Sequence, residues 1–410
     1  MQIIVQKFGG TSVATPEGRE NVVLKVKEAL GKGFSVVVVV SAMGRAGDPY
    51  ATDTLIGLTR GAKAGVFKQV KPREMDLLMA CGEIISTVVM VQTLKEHDIE
   101  ADAFTGGQAG IITDHYFNNA RIVEIRPDNL FKCLKEGRVA VVAGFQGITS
   151  DGEITTLGRG GSDTTGSALG VALKAEIIEI FTDVDGIMTA DPRLVPQAKP
   201  LPVMTYTEVC EMAHLGAKVV HPRAVEIAME GRVPLRIRST FSDSLGTLIS
   251  DGAPINNVEI RKDKVVTGLA HHANMALVKL NSSDDLNKNG RVLEIFQLMA
   301  DADISVDMIQ VSPFVVAFII KEDLTDKAIE VLRPLSLDLT VEKGYAKVAI
   351  VGSGMRGVPG VMAKMVHGLQ KSEISVYHSA DSHTNIACLV KSNEMGLALQ
   401  ALHDEFELGE

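Results

Sequence analysis

Short apolar runs alternate along this chain with longer stretches in which apolar residues recur every three or four positions. Gln2–Phe8 reads as a buried strand, and Gly9–Gly10–Thr11–Ser12 turns the chain at its end. Thr15–Pro16 starts a helix, with proline at the first helical position, where no hydrogen bond is lost. Val22, Val23, Val26, Ala29 and Leu30 share one face of that helix, and Gly31 stops it. Phe34–Ser41 is a second strand, apolar on both faces, as in a parallel sheet covered by helices. After a long polar loop, Ala42–Asp53, the pattern predicts a long helix over Glu74–His97 and strands over Arg138–Phe145 and Glu176–Phe181. Such alternation predicts an α/β fold: a mostly parallel sheet with helices on both faces and ligands at strand C-terminal ends. The polar, glycine-bearing turns Gly9–Ser12, Ser41–Gly44, Gly158–Asp163 and Thr182–Gly186 all fall at such ends.

The polar stretch Asp251–Asp263, with proline and paired asparagines, reads as a linker. Beyond it the sequence repeats. Gly290, Ile304–Ser305–Val306 and Lys321 recur 70 residues later as Gly360, Ile374–Ser375–Val376 and Lys391. Each copy reads strand, helix, strand, strand, helix, the split βαβ arrangement of ferredoxin-like modules. The expected division is a domain over 1–250, a linker over 251–263, and tandem modules over 264–340 and 341–410. The modules lack a dense set of catalytic residue types and read as regulatory or assembly units.

Composition narrows the function. The 410 residues carry 41 basic and 51 acidic side chains, a net charge of −10, which disfavours nucleic acid or an anionic membrane as partner. Cys81, Cys133, Cys210 and Cys388 are far apart and form no CxxC, as expected of reduced thiols in a cytoplasm and not of a zinc site. Met1 leads straight into a strand, so no signal peptide is expected, and no apolar run is read as approaching the roughly 20 residues of a membrane span.

The chemistry concentrates in Thr155–Gly170, which holds Gly158, Gly160, Gly161 and Gly166 with Arg159, Asp163 and several hydroxyls. Ala168, Leu169, Val171, Ala172 and Leu173 continue it as a helix, capped by Ser162, Asp163 or Thr164. A helix N-terminus suits an anion, and Arg159 adds a fork for a carboxylate or phosphate. The spacing matches neither the dinucleotide fingerprint nor the Walker A loop. The alternative is a capped strand-to-helix turn without a ligand. Lys7, ending the first strand, is placed to neutralise a moving phosphoryl group. Asp163, between Lys7 and Lys218, would hold both ammonium groups or simply cap the helix. Glu83 lies in a largely apolar helix and needs a partner, either an internal salt bridge or a ligand ammonium. Thr182, Asp183 and the run Thr189–Arg193 add a further polar rim, whereas His221 and His271–His272 have no metal-ligand spacing.

Taken together, KFGGTS (Lys7–Ser12), VVVSAMG (Val38–Gly44), TLGRGGSDTT (Thr156–Thr165), FTDVDGIMTADPR (Phe181–Arg193) and GAKVVHP (Gly216–Pro222) resemble the aspartokinases over essentially the whole chain. The resemblance implies an amino acid kinase fold followed by two βαββαβ ACT modules. It implies ATP-dependent phosphorylation of L-aspartate to 4-phospho-L-aspartate with Mg²⁺, the first step towards lysine, diaminopimelate, methionine and threonine. It assigns Lys7 to the transferring phosphoryl group, with Asp163 organising Lys7 and Lys218. Arg159 would take the substrate α-carboxylate and Glu83 its ammonium, with Ser41, Thr52 and Ser162 lining the same site. Lys7, Gly9, Gly10, Thr182, Asp183, Arg193 and Lys218 would contact the nucleotide, as would Met188, which stands where many relatives carry tyrosine. The rivals are another kinase of this fold, acting on glutamate, acetylglutamate or a nucleotide, and a catalytically silent amino acid sensor. GDPYATD (Gly47–Asp53) and SADSHT (Ser379–Thr384) look most like the diaminopimelate-sensitive bacterial form. Two chains would pair through the ACT modules into a homodimer or higher oligomer. The effector would be an amino acid, meso-diaminopimelate before lysine or threonine. Ser305, Val306 and Asp307 would meet it from one side, and a facing loop, Asn289–Gly290–Arg291, from the other.

Overall fold

The computed structural model describes residues 1–59, 70–217, 219–251, 265–355 and 357–410, with residue 289 described by its backbone only. The chain divides into two compact units. The first holds Met1–Ile187, Pro200–Ala213 and the described part of 218–258; the second holds Met188–Lys199, His214–Ala217 and the described part of 259–410.

The first unit supplies twelve strands among the described residues. They are β1 (Ile3–Phe8), β2 (Ser35–Val40), β3 (Ala101–Phe104), β4 (Ile111–Thr113), β5 (Ile122–Ile125) and β6 (Val139–Ala143), then β7 (Gln146–Ile148), β8 (Ile154–Thr156), β9 (Ile177–Thr182), β10 (Val203–Thr205), β11 (Leu235–Ser239) and β12 (Thr247–Ser250). Eight of these form one sheet in the order β10-β12-β11-β9-β1-β2-β6-β3, parallel except where β12 meets β11. The remaining four make a small sheet, β5-β4-β7-β8. The helices are α1 (Gly10–Ala14), α2 (Pro16–Gly31), α3 (Thr52–Gly57), α4 (Pro72–Glu96), α5 (Asp128–Lys135), α6 (Gly161–Ala172), α7 (Tyr206–His214) and α8 (Pro222–Glu230).

The five valines of β2 are buried because helices cover both faces. On one side Val22, Val23 and Val26 of α2 and Met90 and Leu94 of α4 pack on Val36, Val38 and Val40. Each fully buried valine contributes about 1.5–3 kcal/mol. Thr15 caps α2 by accepting the Gly18 N–H at 3.1 Å. One sequence reading needs correction. Pro72–Glu96 is long and apolar enough to cross a membrane by length and composition, with a mean hydropathy of 1.8 over its best window. Half of that window is buried in the protein, and the helix carries the buried carboxylates Asp76 and Glu83.

In the second unit, β13 (Gly268–Asn281), β14 (Asp307–Val311), β15 (Val315–Lys321), β16 (Asp338–Val351), β17 (His378–Asp381) and β18 (Asn385–Lys391) form one sheet, β14-β15-β13-β16-β18-β17. Its helices are α9 (Arg291–Asp301), α10 (Thr325–Leu332), α11 (Val361–Lys371) and α12 (Met395–Glu405). The expected boundary at 340/341 does not hold, because β13 and β16 each run through both modules. Met275–Asn281 pairs with β15, whereas β18 pairs with Tyr345–Val351 of β16. A register shift between His272 and Met275 marks the change. Two cores result. One joins Val278 and Leu280 to α9 and α10; the other joins Leu269, Val348 and Ile350 to α11 and α12. The first module is therefore inserted into the second. Ala190 and Val195 also belong to the second core, and the Leu269 N–H donates to the Thr189 carbonyl at 2.7 Å. This fixes Met188–Lys199 in the second unit, although it lies within the 1–250 span expected for the first. The expected linker, 251–263, lies outside the described residues apart from Asp251.

Candidate active site

The parallel strands β1, β2 and β9 end together, and α6 lies beneath their rim. Gly166 makes this possible: a Cβ there would sit 3.2 Å from Lys7 Cβ. Lys7, 9 % exposed, points towards that helix, and its Nζ lies 2.6 Å from Asp163 Oδ1. Asp163 stands in the first turn of α6, where the helix dipole favours a carboxylate. Gly160, at φ +70°, begins α6 in the left-handed region, and a side chain there would strike the His221 ring. Gly10 has a similar reason, since its Cβ would approach the carbonyls of Ala42 and Gly44 to 2.7 Å.

A cavity of about 640 Å³ opens at this rim. It is lined by Lys7, Gly10, Ser41, Thr52, Glu83, Arg159, Ser162 and Asp163, which converge from seven elements or turns. Glu83 is 2 % exposed. Its Oε1 accepts the Ala42 N–H at 3.1 Å, and its Oε2 is buried without a hydrogen-bond partner. Burial pushes its carboxyl up to about 8, opposed only by backbone N–H groups. Of the two partners the sequence allowed, no salt bridge to Glu83 is present among the described residues. Arg159 is exposed at the mouth and makes no ion pair among them.

Sequence reasoning missed several neighbours. Phe145 holds φ +68°, its N–H donating to Thr165 Oγ1 at 3.0 Å, and its side chain lines the cavity with Asn118, Met75 and Met79. These have no signature beyond lying near a glycine or inside an apolar helix. Arg45, in the polar loop after β2, pairs with Asp183 at 2.6 Å.

Other expected site residues lie elsewhere. Gly9 donates its N–H to the Phe181 carbonyl at 3.3 Å, and Thr182 and Asp183 follow at the end of β9, outside the cavity lining. Met188 and Arg193 belong to the second unit, where Arg193 closes on Asp191 through two side-chain contacts of 3.0 and 2.6 Å. That guanidinium holds the Asp191 carboxyl below its usual range. Lys218 lies outside the described residues.

The expected effector residues are arranged differently from the reading above. Asn289–Gly290–Arg291 leads into the N-terminus of α9, whereas Ser305, Val306 and Asp307 follow its C-terminus. Eleven residues of helix span about 16 Å, so the two segments do not face each other within one chain. Asp307 is also occupied: Lys347, nearly buried, reaches its Oδ2 at 2.6 Å. Arg291 pairs with Glu294 one turn on, at 3.0 Å. The edge strands β14 and β17 line a separate cavity of about 710 Å³ through Ile309–Val311 and Val376–Asp381.

Comparison with known proteins agrees with this architecture. Residues 2–239 match the amino acid kinase family, and residues 340–404 match an ACT domain. Aspartokinase 1 of Bacillus subtilis (strain 168) is 48% identical over 408 residues, covering 100% of both chains. The aspartokinase of Geobacillus stearothermophilus is 40% identical over 416 residues, covering 100% of this chain and 98% of its own. Among solved structures, E. coli aspartokinase III in complex with aspartate and ADP (R-state) superposes with a TM-score of 0.80 at 28% identity, covering 98% of this chain and 99% of that one. The same enzyme in complex with lysine and aspartate (T-state) gives 0.78 at 29%, covering 99% and 100%. With a full-length relative at 48% identity and a kinase-family match over more than half its residues, the chain belongs to the aspartokinases, the amino acid kinases that phosphorylate aspartate.

Proposed function

We propose that the chain transfers the γ-phosphoryl group of ATP to the β-carboxylate of L-aspartate, giving 4-phospho-L-aspartate. The observation that carries this assignment is a division of charge within one cavity. Among the described residues Glu83 is a buried carboxylate without a cation and Arg159 a cation without an anion, and Lys7 sits beyond them against Asp163. An α-amino acid head satisfies the first two at once. Its side-chain carboxylate then extends towards Lys7 and attacks phosphorus in line. That carboxylate is already ionised at neutral pH, so no general base is needed. Catalysis is positioning plus charge stabilisation. The Lys7 ammonium meets the oxygens of the moving group, and Asp163 holds the lysine in place, with Lys218 as its second partner. Ser41, Thr52 and Ser162 line the aspartate end. Gly9, Gly10, Thr182, Asp183, Met188 and Arg193 are assigned to the nucleotide. Mg²⁺ is assigned to the ATP phosphates, where it would neutralise charge.

Kinetics of single variants test these roles. Lys7→Ala is expected to lower kcat about a hundredfold or more with a small change in KM for aspartate. Arg159→Ala is expected to raise KM for aspartate about tenfold or more with ATP affinity unchanged. A kcat within about threefold of the parent removes Lys7 from the phosphoryl group; loss of ATP affinity in Arg159→Ala moves that residue to the nucleotide.

We assign the residues to about 250 to catalysis and the two modules to control and assembly. The enzyme would work in the cytoplasm, in keeping with its four free thiols, at the head of the route to lysine, diaminopimelate, methionine and threonine. Chains would pair through the modules, where Ile309 and Val311 on edge strand β14 and Tyr377 just before edge strand β17 are exposed. An end-product amino acid, meso-diaminopimelate first and lysine or threonine after it, would bind at Ser305–Asp307. Asn289–Arg291 of a second chain would supply the other half, because one chain keeps these segments apart.

A further inference from the structure

Two charged residues outside the cavity grip the same pair of loops from opposite sides. Asp76, on α4, is fully buried and has no cation beside it among the described residues. Its carboxylate accepts the Asn118 N–H at 3.0 Å, the Thr156 N–H at 2.8 Å and the Thr156 hydroxyl at 2.7 Å. Burial raises its carboxyl above the usual range, and these donors oppose that shift. Arg223, on α8, donates to the Leu157 carbonyl at 3.1 Å and the Ala120 carbonyl at 3.2 Å. The loops are joined between these grips by the Ala120 N–H, which donates to the Thr156 carbonyl at 2.9 Å. An anion therefore holds their N–H groups and a cation their carbonyls.

These loops belong to the cavity. Asn118 lines it from one loop, and Gly158 and Arg159 line it from the other. Asn118 holds φ +66°, a conformation rare outside glycine, with its N–H on Asp76. The helix that carries Asp76 also carries Glu83 seven residues on, two turns along the same face and about 10 Å away. Asp76 thus links the helix of the ammonium-binding carboxylate to the loop of the carboxylate-binding arginine.

We propose that Asp76 and Arg223 are positioning residues that fix the separation of Glu83 and Arg159, and with it the fit of the amino acid head. This rests on the substrate roles given to Glu83 and Arg159 above. Neither residue touches substrate, so their loss acts on aspartate binding and not on phosphoryl transfer.

The test is steady-state kinetics on full-length Asp76→Asn, Thr156→Val and Arg223→Lys, with Arg159→Ala in the same series. Thr156→Val removes one hydroxyl without changing side-chain shape, so it keeps the test open if Asp76→Asn does not fold. Each of the three is expected to raise KM for aspartate about fivefold or more, with kcat and KM for ATP within twofold. Asp76→Asn combined with Arg223→Lys is expected to raise it by less than the product of the single effects, because both hold one structure. Unchanged KM for aspartate in all three, with Arg159→Ala still raising it, overturns the positioning role and leaves the site intact. Unchanged KM in Arg159→Ala overturns the underlying assignment. A parallel rise in KM for ATP also overturns the proposal, since it marks general loosening.

Discussion

Glu83 combines a functional role with a physical cost, and Glu83→Gln separates the two. The carboxyl is 2 % exposed, and burial pushes it up to about 8. At pH 7 only about one molecule in ten carries the charge, so engaging an ammonium first costs about 1 kcal/mol. KM for aspartate is therefore expected to fall close to tenfold from pH 6 to pH 7 and to level off above pH 8. Glu83→Gln removes this slope and raises KM above pH 8 by about tenfold to a hundredfold, the range for a charge-assisted hydrogen bond. Stability moves the other way. A folded-state value of about 8 against an ordinary 4.5 means the folded protein keeps a proton that the unfolded chain releases. Stability therefore falls as pH rises from about 4.5 to about 8. Glutamine has no proton to lose, so the variant is more stable by about 3 kcal/mol at pH 7, and its advantage vanishes near pH 4.5. Initial rates of ADP release at saturating ATP over pH 6–8.5, with thermal melts at the same pH values, read both effects. A flat KM profile in the parent, or the same slope in Glu83→Gln, refutes the reasoning.

Three further outcomes follow from the second unit. Ile309→Lys on the exposed edge of β14 places a charge where chains would pair and is expected to shift the protein towards monomer in sedimentation at micromolar concentration; a monomeric parent contradicts pairing through this edge. Meso-diaminopimelate is expected to inhibit more strongly than lysine or threonine, with a tenfold preference for one state corresponding to about 1.4 kcal/mol; the reverse order overturns the effector choice. Asp307→Asn is expected to weaken that inhibition, and it is a better probe than alanine because Lys347 is nearly buried against Asp307 and needs an acceptor; unchanged sensitivity removes Asp307 from the effector site.

The strands and helices legible in the sequence are those whose burial imposes a pattern. β1, β2, β6, β9, α2 and α4 come within two residues of the expected ends, because covered parallel strands must be apolar throughout and α2 must show an apolar stripe. Strands of three or four residues, such as β4, β7, β8 and β10, are too short to show a period. The insertion of one module into the other left only the 70-residue repeat as a trace. The exchange of partners happens inside β13 and β16, where His271–His272 and Glu342–Lys343 interrupt the apolar pattern without ending either strand. Glu83 was legible as a carboxylate in an apolar helix. Asp76 sends the same signal one heptad earlier, but its partners, Asn118 and Thr156, are distant in sequence. Asp307 looked available because Lys347, its partner, lies 40 residues away on β16.

The most direct measurement of the central assignment is product capture. The full-length protein, ATP and Mg²⁺ are incubated with hydroxylamine, which converts an acyl phosphate to a stable hydroxamate, and with L-aspartate, L-glutamate, N-acetyl-L-aspartate or L-aspartate α-amide in turn. The expected product is the β-hydroxamate of L-aspartate, with little from the others: acetylation removes the ammonium that Glu83 requires, the amide removes the carboxylate that Arg159 requires, and glutamate carries its carboxylate one methylene past Lys7. Hydroxamate formed equally well from N-acetyl-L-aspartate or L-glutamate contradicts the assignment.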